Sequence, residues 1–281
     1  MRISKGLRVG LALGGGAARG LAHVGVLKFL QAEGIPLHAL AGVSVGSVIA
    51  AGYATGLSVE RLVELAETVT WRDVGGWSFS VKGFNSNERM EQWLEKVLPV
   101  STFEELRMPL RIMATDLHTG RPVILEKGDL HSAIRASCAI PGLYVPVELN
   151  GCLLADGYLT CNLPIRQVRE LGVDVVIASA IGLEISPDVK LNNIYQILMR
   201  SFSIMSAAAQ RYNYGDADVV IHPEVESYSW TEIESAGELI KAGELAARSI
   251  APELERALNP SLWTRLPWNP FRREKKQLQV S

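Results

Sequence analysis

Three cysteines in 281 residues are too few to staple a chain of this size. Cys138, Cys152 and Cys161 form no C-x-x-C pair and leave an odd count, so a disulfide framework or zinc scaffold is not expected. Structural thiols in a reducing compartment fit better. There is also no excess of charge: 28 basic against 30 acidic residues give a net −2, without the basic footprint of a general nucleic-acid binder. No internal repeat or low-complexity linker is present.

A long, greasy membrane run is missing too. Met1 to Ala22 begins basic and turns apolar, but the run Val9-Gly-Leu-Ala-Leu13 is short and meets a glycine cluster and Arg19, the wrong shape for a secretory leader. Ala39 to Val59 is uncharged and carries two GxxxG pairs, Gly42/Gly46 and Gly52/Gly56. It is rich in Gly, Ala and Ser and follows a strand pattern, so a helix buried against a sheet is expected there rather than a membrane span. The expectation is a cytoplasmic protein.

Hydrophobic residues make up 48% of the chain and charged ones 21%, enough apolar material for one large core. Short apolar runs alternate with helical periodicity, which predicts an α/β fold with helices on both faces of a sheet. Strands are predicted at Arg8–Leu13, Leu37–Val43, Leu110–Thr115, Pro122–Glu126, Cys152–Ala155, Val173–Ala180 and Val219–His222. Pro122–Glu126 should pair with its predecessor across a Thr119-Gly120 turn. Helices are predicted at Leu21–Glu33, after Ser44, and near Val59–Val69 and Asn87–Leu98. Thr102-Phe-Glu-Glu105 has the capping-box pattern. Trp71 to Phe84, with glycines and aromatics but no clean period, reads as a loop over a site or an irregular connection.

Gly42-Val-Ser44-Val-Gly46 is a GxSxG between a β run and an apolar helix. That context places the serine on a tight strand-to-helix elbow, with its hydroxyl at a helix N-terminus whose dipole favours alkoxide. Gly14 to Gly20 also joins a strand to a helix. As a dinucleotide loop its spacing fails, because Gly14 and Gly16 would require glycine at 19, which is Arg19, and no acidic residue ends the second strand. Its N–H groups can instead receive the oxyanion of a tetrahedral intermediate. For a general base two arrangements compete. Ser44, Asp156 and His222 have the α/β-hydrolase order, but only one complete strand precedes the elbow and His222 closes an apolar strand before Pro223. Asp156-Gly157 directly follows the run Cys152–Ala155, although Asp-Gly is also the commonest turn dipeptide.

Together these motifs resemble those of bacterial patatin-like phospholipases: the glycine-rich oxyanion loop Gly14–Gly20, the nucleophile elbow Gly42–Gly46 and the catalytic Asp156-Gly157. Supporting signatures occur in the family's order. They are Ala114-Thr-Asp-Leu117 with Thr119-Gly120, Ile134-Arg-Ala-Ser137 with Ile140-Pro-Gly142, Pro146-Val147 and Asn162-Leu-Pro164. The resemblance runs from about residue 7 to 250. It implies a three-layer α/β/α fold with a mainly parallel central sheet, a Ser44–Asp156 dyad, an oxyanion hole from Gly15, Gly16 and Ala17, and hydrolysis of lipid acyl esters without metal or cofactor. Gly14, Arg19, Gly20, Gly42, Gly46 and Gly157 would support the motifs. Arg19 would fix the loop or meet a phosphate head group.

Two positions depart from the family. Ala17 replaces a usual glycine, where a positive φ would strain it, and Tyr158 follows Asp-Gly and would narrow the cleft. They keep open a non-catalytic lipid-binding or regulatory protein on this fold, beside a soluble-ester hydrolase or thioesterase. The domain is expected to end at Asn259. Beyond it, Trp263, Trp268 and Phe271 lie among Arg265, Arg272, Arg273, Lys275 and Lys276. That mixture suits peripheral contact with a bilayer at the inner membrane face, but Pro260, Pro267 and Pro270 forbid a long amphipathic helix and favour aromatics packing back onto the domain.

Overall fold

The computed structural model describes residues 1, 3–75, 77–80, 83–85, 88–181, 194–210 and 214–260. The aromatic and basic tail therefore lies outside the described residues, and so does the expectation placed on it.

The chain order is β1 (Val9–Leu13), α1 (Ala22–Ala32), β2 (Ala39–Val43), α2 (Val45–Ala54), α3 (Val59–Thr68), α4 (Trp71–Val74), β3 (Trp77–Ser80), β4 (Gly83–Asn85) and α5 (Glu88–Val97). There follow β5 (Leu110–Asp116), β6 (Pro122–Leu125), α6 (Leu130–Ser137), β7 (Val147–Leu149), β8 (Cys152–Asp156), α7 (Ile165–Arg169) and β9 (Val175–Ser179). The last elements are α8 (Ile194–Gln210), β10 (Val219–Ile221), α9 (Ala236–Ser249) and α10 (Ala251–Leu258). The central sheet has the order β10-β9-β1-β2-β5-β8-β7, with β6 also paired to β5. From β10 to β5 the pairing is parallel, while β6, β8 and β7 join antiparallel. The sheet is thus mainly parallel, as expected.

Alternation along β1 divides the two faces. Val9, Leu11 and Leu13 point into the larger core, whereas Ala12 joins Ala39, Ala41, Val168 and Val176 on the other side. The second face is lined by small residues because α7 lies close against it. At the larger core α1 and α9 meet backbone to backbone. A Cβ built on Gly25 would fall 1.8 Å from the Ile240 carbonyl oxygen, and one on Gly243 1.8 Å from that of Ala22. Only hydrogen fits at either position.

Ala39–Val59 divides into β2 and the well-buried α2, as its composition suggested. Among the described residues no helix is long and apolar enough to cross a membrane. Thr102 donates through its N–H (3.1 Å) and hydroxyl (2.7 Å) to Glu105, so the capping box forms, although it caps only a single 3₁₀ turn. The Trp71–Phe84 stretch is more regular than its sequence suggested. It supplies α4 and an antiparallel ribbon of β3 and β4. Trp71 is anchored by its indole N–H, which donates to the Thr231 carbonyl at 2.7 Å. The three cysteines are free thiols.

Candidate active site

Ser44 occupies the turn between β2 and α2 with φ 53° and ψ −127°. A non-glycine residue in that region carries strain of about 1–3 kcal/mol and persists only where its surroundings hold it. Three bonds do so. The Ser44 N–H donates to Ser137 Oγ at 2.8 Å, and Ser137 Oγ–H passes on to the Met113 carbonyl at 2.6 Å. The Ser44 carbonyl accepts from Ser47 Oγ at 2.6 Å and from the Ser47 N–H at 2.8 Å. The side chain faces the cleft at the N-terminus of α2, within hydrogen-bonding reach of Asp156.

The flanking glycines permit close approach. A Cβ on Gly46 would lie 2.5 Å from the carbonyl oxygens of both Leu13 and Gly14, so the elbow rests directly on the glycine-rich loop. Gly42 abuts the Gly46 carbonyl, Gly20 abuts Val45, and Gly157 abuts the Met113 carbonyl, each without room for a Cβ.

The loop itself is tethered on both sides. Gly14 N–H donates to the Ser179 carbonyl (3.1 Å) and Ala18 N–H to that of Trp230 (3.1 Å). Gly15 differs from the expectation placed on it. Its N–H already donates to Asn162, both to Oδ1 at 2.9 Å and to the carbonyl at 3.1 Å. Among the described residues, the N–H groups of Gly16 and Ala17 have no acceptor, and both residues line the smaller hollow beside Ser44. Ala17 has φ 47°, so the anticipated strain at the alanine is real. Arg19 is buried and spent on structure. It donates from Nε to the Tyr228 carbonyl (2.7 Å) and from Nη2 to that of Glu226 (3.1 Å), and lies 5.7 Å over the Trp230 ring.

Behind the loop stands His23, fully buried at the start of α1. Its Nε2 is 2.8 Å from the Gly14 carbonyl and its Nδ1 2.8 Å from Ser179 Oγ. A carbonyl only accepts, so the proton sits on Nε2 and Nδ1 accepts from the serine. Burial pushes the imidazole down to about 4, which keeps it neutral.

Asp156 reaches Ser44 by register. Val43 pairs with Met113 on one edge of β5 and Asp156 pairs with Ala114, so serine and carboxylate stand at the same height, β5 between them. Two strand spacings separate their backbones by roughly 10 Å, a gap the side chains close. Asp156 is the last residue of β8, directly after the run Cys152–Ala155 as expected, and β8 runs against β1 and β2.

Its main chain is fixed by N–H donation to the Ala139 carbonyl (2.9 Å) and by the Thr115 hydroxyl, which donates to its carbonyl (3.0 Å). Burial raises the carboxyl to about 7, against opposing contributions from the Tyr158 N–H, which donates to Oδ1 at 2.8 Å, and from the Ser44 side chain. Cys138 is near both groups, and burial with the Asp156 charge pushes its thiol up, so it stays protonated. His222 is exposed beyond the edge strand β10, against Tyr214, and lines neither cavity at Ser44.

Two hollows meet at Ser44. The larger, about 140 Å³, runs along α2 past Val45, Val48, Ile49 and Gly52, one helical face about 12 Å long from the serine. Residues of α3, α4 and α5 close it, and among the described residues its lining has no charged side chain. The smaller, about 20 Å³, lies on the Asp156 side between Gly16, Tyr158, Leu159, Phe202 and Trp230. Tyr158 packs edge-on to Trp230 and narrows this side, as its bulk suggested.

No role for His23, Ser179 or Ser47 was legible from the chain alone, and Ser137 and Asn162 were named only within family signatures. Those signatures were the one available signal, because a serine or histidine on a helix shows nothing of the backbone it will meet.

Residues 11–169 match the family described as Patatin-like phospholipase. An uncharacterized NTE family protein of Mycobacterium tuberculosis is 36% identical over 191 residues, covering 66% of this chain and 53% of that protein. Lysophospholipase NTE1 of Candida albicans is 30% identical over 187 residues, covering 64% of this chain and 14% of that one. The chain therefore spans about half the length of the mycobacterial relative and far less of the fungal one. VipD from Legionella pneumophila shares the fold, with a TM-score of 0.58 at 13% identity, over 87% of this chain and 66% of that one.

Proposed function

Because this chain belongs to the patatin-like phospholipase family, we propose that it hydrolyses lipid acyl esters with Ser44 as nucleophile and Asp156 as base. One observation carries the reading. A strained serine, pinned through its own backbone, faces a buried carboxylate at the mouth of an uncharged apolar channel.

An acyl chain enters the channel along α2 and the ester carbonyl comes to rest at Ser44. As Ser44 Oγ bonds to the carbonyl carbon, its proton passes to Asp156. The N–H groups of Gly16 and Ala17 receive the oxyanion. Collapse of the intermediate breaks the ester bond, and the Asp156 proton leaves with the alcohol. Water, deprotonated by Asp156, then releases the fatty acid and restores the serine. A free aspartate is a poor base for a hydroxyl. One raised to about 7 is better matched to the task, because proton-transfer efficiency is greatest when the catalytic pKa lies near the working pH.

The same reading makes residues 1–259 the catalytic unit, with the remainder a tail, and the free thiols favour a reducing, cytoplasmic setting.

Labelling by a fluorophosphonate probe tests the nucleophile. The parent is expected to label and to cleave a p-nitrophenyl acyl ester, and Ser44→Ala is expected to do neither while melting as the parent does. Labelling that survives in Ser44→Ala would remove the serine from the mechanism.

A further inference from the structure

Helix α8 stands beside the smaller hollow and carries an apolar patch that the other described residues leave exposed. Ile197, Leu198, Ile204 and Met205 are 49, 47, 47 and 67% exposed, against at most 9% for the side chains of the core. At 3.6 residues per turn, Ile204, Ile197, Ser201, Met205 and Leu198 follow one another round an arc of about 120°. Phe202 comes next on the wheel and lines the hollow at Ser44 and Asp156, while Ser203 is buried on the opposite side. Leu159, also lining that hollow, is 37% exposed. The apolar arc is thus continuous with the cleft. From Ile194 to Gln210 the only charged residue is Arg200, a cation.

We propose that this arc of α8 is the docking surface for a lipid bilayer. The choice of occupant rests on the acyl-ester reading, since a water-insoluble ester must pass from its aggregate into the cleft without crossing water. A helix lying in the interface with its apolar arc at acyl depth presents Phe202 and Leu159 as the threshold between bilayer and serine. No carboxylate in the helix sequence opposes neutral or anionic head groups. A protein partner would also bury such a patch. Continuity with a lipid-handling cleft favours the bilayer.

The experiment is co-flotation of the full chain with phosphatidylcholine vesicles, with and without phosphatidylglycerol, beside hydrolysis of soluble p-nitrophenyl butyrate. Leu198→Ser/Met205→Ser replaces two exposed side chains that line neither hollow. Leu245→Ser replaces an equally exposed leucine on α9 as a control. Each half-buried large apolar side chain lost should weaken binding several-fold, so the double variant is expected to bind vesicles at least tenfold more weakly. Its soluble-ester rate and melting temperature should stay unchanged, and Leu245→Ser should float as the parent does.

A parent that fails to float, a double variant that floats equally well, or an equal loss in Leu245→Ser would overturn the proposal. Lack of soluble-ester hydrolysis by the parent would count against the acyl-ester reading alone, because flotation is measured without turnover.

Discussion

Asp156→Asn should abolish activity and stabilise the protein, and the stabilisation should grow with pH. An aspartate ordinarily titrates near 3.8, and burial raises this one to about 7, a gap of about three units. Within that gap the native state holds a proton that the unfolded chain has released. The favourable contribution of the neutral carboxyl is therefore complete below pH 4 and is lost as pH rises through about 7. At 1.36 kcal/mol per unit the full loss is about 4 kcal/mol, of which two units, about 3 kcal/mol, fall between pH 5 and 8. Asparagine has the same shape and no such titration. The difference in melting temperature, variant minus parent, should accordingly widen by roughly 6–12 °C from pH 5 to pH 8. Other titrating groups are common to both proteins and largely cancel in the difference. The kcat/KM of the parent should rise over the same range with a midpoint near 7, since only the ionised carboxylate accepts the serine proton. A melting difference that does not change with pH, or an activity midpoint near 4, would refute a buried base at this position.

Ala17→Gly relieves a positive φ at an alanine. It should keep or raise turnover and add up to about 1–2 kcal/mol of stability, read by urea titration. His23→Ala strands the Gly14 carbonyl and the Ser179 hydroxyl in the core. A loss of about 2–4 kcal/mol is expected, with a larger fall in kcat than rise in KM and partial recovery in His23→Gln. Gly25→Ala drives a methyl into the Ile240 carbonyl. It should lower stability by about 1–3 kcal/mol or more through separation of α1 from α9, while the catalytic constants of the folded fraction stay the same.

Much of the architecture was legible because it rests on local rules. Alternating apolar runs and helical periods gave seven strands and four of the helices in order, with observed ends within about two residues of the expected ones, as at Val9–Leu13 and Val59–Thr68, whereas the helices from Leu130 onward were not anticipated. GxSxG announced its elbow because the two glycines and the φ of Ser44 belong to one short turn. The short strand Val147–Leu149 was not foreseen, since three residues carry too little pattern to show a period. Gly15 was expected to donate to an oxyanion, but Asn162, 147 residues away, holds its N–H.

The sequence by itself determined which groups could do chemistry: a serine held on a strained turn, a glycine-rich loop after the first strand, and a carboxylate after the run Cys152–Ala155. Each of these depends on a few neighbouring residues. What only the tertiary structure decided was their relation. Strand β5 places Asp156 level with Ser44 although the two strands it joins run in opposite directions. The imidazole of His23 grips the loop from behind, and the packing of α2, α3 and α5 hollows out the apolar channel. Pairing register, burial and the remaining freedom of an N–H are properties of what lies across the fold, and chain order carries almost no record of them.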